Sequence, residues 1–190
     1  MAFLDNVVTA INDKVKESLT AFPTSHYDGI AYQLPKKDGD KVQYIPALID
    51  LNGEAKWVTF DDLQEMNIYH RIVSSIYSQV KQGSYGDGYD YFQQSYDMDM
   101  VVMASRRKVH VQPDALEMAI ASNIPTKHKI DGFEFVNITT VSSNYNGRSV
   151  FQQEFQSVDY FLKPEHILLS IRYRVELRYR KGCISLCQCN

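Results

Sequence analysis

The chain has 190 residues, 44% hydrophobic and 23% charged, with a formal charge of −3. Those figures describe one globular domain over residues 1–190, able to bury roughly 70% of its unfolded surface without a disulfide or metal. They argue against a basic nucleic-acid coat, and no run approaches the ~18 apolar residues of a membrane-spanning helix.

The first element is a helix. Leu4, Val7, Val8, Ile11, Val15, Leu19 and Phe22 recur at three- and four-residue steps, and Pro23 ends the pattern. This opening lacks a basic region followed by an unbroken apolar run, so no signal peptide is expected. Strands follow: "GIAYQL" over Gly29–Leu34, a turn at Asp38-Gly39, and a hairpin through "VQYIPALIDLNGEAKWVTF" that turns at Asn52-Gly53. Pro46 suits an edge or a bulge in its first arm.

"IYHRIVSSIYSQV" (Ile68–Val80) alternates, with Ile68, His70, Ile72, Ser74, Ile76 and Ser78 on one face. It reads as a long strand, although Ile72, Ile76 and Val80 also fit a helix. The glycine- and tyrosine-rich stretch Lys81–Tyr96 reads as an exposed loop or protruding arm, and Asp97–Val111 as another long strand. Gln112–Pro125, opened by Pro113 and Asp114, reads as a short helix. Gly132–Ser143 is a strand, "NYNG" a turn, and Arg148–Leu162 is ambiguous.

The last strand is the most conspicuous. In "ILLSIRYRVELRYRK" (Ile167–Lys181), Ile167, Leu169, Ile171, Tyr173, Val175, Leu177 and Tyr179 share one face. Arg172, Arg174, Arg178 and Arg180 lie on the other. The fold class is therefore α+β: a mainly antiparallel twisted sheet with a long N-terminal helix, a short second helix and an extended C-terminal strand. No period of 20–50 residues repeats.

Motifs that carry chemistry are scarce. His26, His70, His110, His128 and His166 are scattered, with no zinc-protease spacing. Gly86–Tyr91 lacks the Lys-Ser/Thr of a phosphate loop. Asp97 and Asp99 share a strand face and could hold a hard cation or act as acid and base. Strand-edge aspartates also serve simply to keep edges apart. A structural zinc on Cys183, Cys187 and Cys189 would need His166 or His128 as its fourth ligand, and reduced thiols in an intracellular setting are the plainer reading. No cofactor is expected.

A ribbon as long as Ile167–Lys181 raises the question of what covers its edges. Either three long strands form a tall sheet within one chain, or a neighbouring copy completes the sheet by strand addition. In the second case the arginine row faces a partner's carboxylates or nucleic acid. Arginine's planar fork suits such pairing better than lysine's ammonium.

The order of elements resembles a known group. The helix "FLDNVVTAINDKV", the strand "YDGIAYQLP", the hairpin "IPALIDLNGEAKWV", the helix "DALEMAIASNIP" and the closing strand are similar in arrangement to the tail-completion and neck proteins of tailed bacteriophages. That group includes the tail terminators. The texture of "FQQEFQSVDYFLKPEHILLSIRYRVELRYRKGCISLCQC" resembles phages of Bacteroides-type hosts, including crAss-like phages.

The resemblance implies a non-enzymatic virion protein, assembled in the host cytoplasm. It would form a ring of six or twelve copies at the head–tail joint, in contact with portal, neck or tail proteins and surrounding a DNA passage. The expected subunit contacts are Tyr85, Tyr89, Tyr91, Phe92, Arg172, Arg174, Arg178 and Arg180. The insert Tyr145–Tyr160 is longer than a simple terminator needs, so neck ring is the broader expectation. The alternative from another class is a metal-dependent hydrolase or nuclease accessory using Asp97 and Asp99.

Overall fold

A computed structural model describes residues 3–50, 52–58, 63–80, 90–130, 133, 135–155 and 165–180. In chain order the elements are α1 (Phe3–Ser18), β1 (His26–Asp38), β2 (Lys41–Ile49), β3 (Ala55–Trp57), β4 (Met66–Val80) and β5 (Tyr91–Ser105). There follow α2 (Pro113–Ala121), β6 (Lys127–His128), β7 (Phe135–Asn144), α3 (Gly147–Phe155) and β8 (His166–Arg180). The strands make one sheet in the order β3-β2-β1-β4-β5-β8-β7-β6, which is the expected α+β class.

Several boundaries depart from the sequence reading. Tyr91–Tyr96, expected in a loop, belongs to β5, because the aromatic residues that suggested exposure pair across the sheet with β4 and β8. The long strand expected to reach Val111 ends at Ser105, and residues 106–108 turn. Part of the ambiguous segment is α3, which buries Val150, Phe151 and Phe155. The connections are not all antiparallel: β1 runs parallel to β4. That contact is brief. Only His26, Tyr27 and Ile30 register with Asn67, Ile68 and His70, and from Ala31 onward β1 pairs with β2 instead. The hairpin expected at Asn52-Gly53 forms between β2 and β3, and Gly53 takes a φ of 83° that a side chain would resist.

The long ribbon, β8, lies inside the sheet. β5 pairs with it from Tyr91↔Arg180 to Ser105↔His166, and β7 from Phe135↔Arg178 to Asn144↔Ser170. Its edges therefore need no neighbouring copy: of the two arrangements open to this strand, the tall sheet within one chain is the one that forms. Its alternation is explained by two different coverings. Ile167, Leu169, Ile171, Tyr173, Val175 and Leu177 join the α1 stripe, Leu4, Val7, Val8, Ile11 and Val15, in the larger core. Leu168 joins Tyr69, Val101, Met103 and the α3 side chains in a smaller core on the opposite face.

A one-residue bulge interrupts β4. Ile72 pairs with Met98, but Ser74 pairs with Asp97, leaving Val73 extra. Such an insertion reverses which face each later residue points to. Ser74, Ile76 and Ser78 therefore lie opposite Ile68, His70 and Ile72, contrary to the single face read from simple alternation.

Candidate assembly surface

Across β4, β5 and β8, on the α3 face, two rows of charged side chains run side by side. In the first, Arg172 grips Asp99 through Nε–Oδ1 and Nη2–Oδ2 contacts of 2.8 and 3.1 Å, while Arg71 Nη2 reaches Asp99 Oδ2 at 2.9 Å. Arg71 Nη1 also meets Glu154 of α3 at 3.2 Å, and the Tyr69 hydroxyl donates to Glu154 Oε2 at 2.8 Å. In the second row, Arg174 holds Asp97 at 2.8 and 3.3 Å, and Ser74 Oγ donates to Asp97 Oδ2 at 3.1 Å.

These rows bring the two sequence candidates together. The carboxylates read as a metal or catalytic pair and the first two arginines read as a partner-facing row bind each other. Burial works to raise the Asp99 pKa, but hydrogen bonds from Arg172 and Arg71 outweigh it and hold the carboxyl below its ordinary value. The Arg174 hydrogen bond does the same for the more open Asp97. A cation approaching either carboxylate meets guanidinium groups already in place. Among the described residues no group of three or more His, Cys, Asp or Glu side chains could hold a metal ion. Glu154 differs: burial dominates and raises its pKa despite Arg71.

Of the other expected contact residues, Tyr91 and Phe92 sit together at the far end of the sheet. Tyr91 is buried, with the Arg178 guanidinium 5.1 Å from its ring centre. Phe92 stacks on Tyr77 at 5.3 Å and leans on Tyr179 at 5.7 Å. Arg180 pairs in register with Tyr91. Tyr85 and Tyr89 lie outside the described residues, as do Cys183, Cys187 and Cys189.

The feature that composition did not flag lies at the sheet's margins. Beyond Ile30↔His70, no described strand pairs with the outer edge of β4, so Ile72–Val80 presents an open edge. Val73, Ile76 and Tyr77 are 41%, 62% and 56% exposed there. This stretch contains no charged residue and no proline. Apart from the bulge, the stretch itself carries none of the charges or prolines that usually blunt an edge strand.

β7 shows the same design. Among the described residues its last outer backbone contacts are with Thr126 and β6, through Ile138 and its neighbours, and Thr139–Asn144 runs on uncharged, with Val141 53% exposed. Here too one residue is extra: Thr140 pairs with Tyr173 and Ser142 with Arg172, leaving Val141 bulged. Met98 and Tyr173 are themselves paired, so Val73-Ser74-Ser75 and Val141-Ser142-Ser143 bulge at equivalent places on either side of the β5–β8 pair. The recurrence of Val-Ser-Ser was available in the sequence; its meaning was not.

The other margins differ. The β1–β2 hairpin carries Lys36, Lys37 and Lys41, and β6 carries Lys127 next to Lys129. Lysines of this kind discourage edge-to-edge pairing. No helix of the described chain is long and apolar enough to cross a membrane. The sequence matches no protein-family profile and no curated protein.

Proposed function

We propose that this chain is a structural subunit of a homo-oligomeric ring in the neck of a tailed bacteriophage, a connector or tail-completion protein at the joint between capsid portal and tail. The observation that carries the assembly role is the uncharged edge of β4 over Ile72–Val80, which no described strand pairs and whose side chains Val73–Ser78 are exposed to solvent. Backbone donors and acceptors along such an edge, flanked by Val73, Ile76 and Tyr77, are a template for another strand. The resemblance in element order supplies the phage context and the expectation of six or twelve copies around a DNA passage.

In this reading Arg172 and Arg174 brace the subunit internally. The far end of the sheet, where Phe92, Arg178 and Arg180 gather about the buried Tyr91, is the surface offered to neighbouring rings or other virion proteins. Light scattering on the purified protein, with negative-stain imaging of the large species, tests the role. Closed rings are the expected result; a monomer at every concentration would overturn it. The competing metal-enzyme reading requires heat of binding on titration with a divalent cation, and the assembly reading requires none. Calorimetric titration with calcium, magnesium or manganese should give a flat trace, because Asp97 and Asp99 are already neutralised by Arg174, Arg172 and Arg71.

A further inference from the structure

Resting on that assembly reading, we infer which surfaces meet: the open half of β4 in one copy adds, antiparallel, to the open half of β7 in the next copy. Four features lead there. The first is direction. β4, β5, β8 and β7 alternate in direction across the centre of the sheet, so β4 and β7 run oppositely. A second copy placed beside the first in the same orientation brings its β7 against β4 as an antiparallel pair, and the ladder continues across the boundary.

The second is charge. Neither Ile72–Val80 nor Thr139–Asn144 contains an Asp, Glu, Lys, Arg or His, so neither strand brings a buried charge into the joint at neutral pH. The lysine-bearing hairpin and β6 are less suited to it. The third is exposure. The described side chains Val73–Ser78 and Thr139–Ser143 are exposed whichever face of the sheet they project from, so both stretches stand clear of the helices. The fourth is duplication. The same Val-Ser-Ser bulge marks the start of the open stretch on β4 and lies within that on β7. A symmetric β4-to-β4 dimer would use one edge and leave the other bare. A head-to-tail contact uses both, and it is the kind that generates rings.

The geometry also sets an offset. The middle of the β4 stretch, Ile76, stands in the row of Ser95, Glu176 and Asn137, whereas Ser142 on β7 stands in the row of Arg172 and Asp99. Pairing the two centres displaces each copy by about four residues along the strand, ~13 Å at the usual rise. A stagger of this sort tilts strands relative to the axis of a closed assembly, as shear does in a barrel.

The test uses one exposed substitution on each edge, Ile76→Lys and Val141→Lys, with Tyr77→Lys and Thr139→Lys as a second pair should either of the first misfold. Circular dichroism and thermal melting confirm folding, and light scattering reads size. Each single variant is expected to fall from ring to monomer. An equimolar mixture of the two is expected to give two-chain species and nothing larger, because only one intact β4 edge and one intact β7 edge remain to meet. If Val141→Lys and Thr139→Lys assemble as the unmodified chain does while the β4 variants do not, the contact is β4 to β4 and the inference fails. If every variant still forms rings, the edges are not the joint, although the ring reading stands. A monomeric unmodified chain would overturn both.

Discussion

His70 and Arg71 are consecutive in β4 and point to opposite faces of the sheet, one toward α1 and the other toward α3. His70 is fully buried and kept neutral. The Tyr173 hydroxyl donates to its Nδ1 at 2.8 Å, its Nε2–H donates to Asn12 Oδ1 at 2.9 Å, and Asn12 Nδ2 donates to the Asp28 carbonyl at 3.0 Å. The relay ties α1, β1, β4 and β8 together without a charge. Burial drives the His70 pKa down to about 3. Arg71 stays charged between Asp99 and Glu154.

Coverage accounts for the difference. α1 and α2 seal the larger core, where an ion would have neither water nor a counterion. α3, a single short helix, leaves Arg172 and Arg174 partly in solvent, and there charges survive as pairs. The depth of cover, more than residue type, sets the electrical state of each face.

The sharpest way to break the contrast is to remove the cation that serves two acids. Arg71→Met should destabilise the fold by ~3–5 kcal/mol in urea unfolding, because Glu154, in a buried site, loses the guanidinium that pairs with it. Adding Glu154→Gln should recover part of that loss; no recovery would show that the Arg71–Glu154 pair is not what Arg71 provides.

The neutral face is tested by pH. The unfolded chain protonates His70 near the ordinary value of 6.5, while the folded chain resists until about 3. Between those values the unfolded state holds more protons, so stability falls as pH falls, by about 1.4 kcal/mol per unit. From pH 6.5 to 5 this amounts to ~2 kcal/mol. His70→Gln should flatten that slope in unfolding curves, and an unchanged slope would mean that His70 is protonated in the fold. The raised pKa of Glu154 acts in the opposite sense, favouring the folded state as acid is added. The comparison with the variant therefore isolates His70. The smallest effect belongs to the more open of the two charged rows on the α3 face. Arg174→Ala should move the urea midpoint far less than Arg71→Met does, and that small shift should shrink further in high salt.

Much of this architecture could be read before any coordinates. The stripe of α1, the Pro113 start of α2, the alternation of β8 and the Asn52-Gly53 turn are local signals with local causes. What escaped depends on register. A single inserted Val73 or Val141 is invisible to a count of alternating residues, yet it reverses everything after it. Asp97 and Asp99 were visible as one cluster and Arg172 and Arg174 as another. That they answer each other depends on β5 and β8 lying side by side in one alignment, across a long span of sequence. The run Ile72–Val80 stood out for nothing, since an absence of charge matters only on a strand with a bare edge.

The position of β8 has a consequence for how the chain is made. It is inserted between β5 and β7, both of which precede it in the sequence. On the ribosome those two strands must wait, each with an unfilled side, until residues 166–180 emerge. Closure of the sheet is then a late, long-range event, slow by topology and exposed to premature association. Chains halted before Arg180 should accumulate as aggregates, whereas intact chains gain solubility in one step when the central strand arrives.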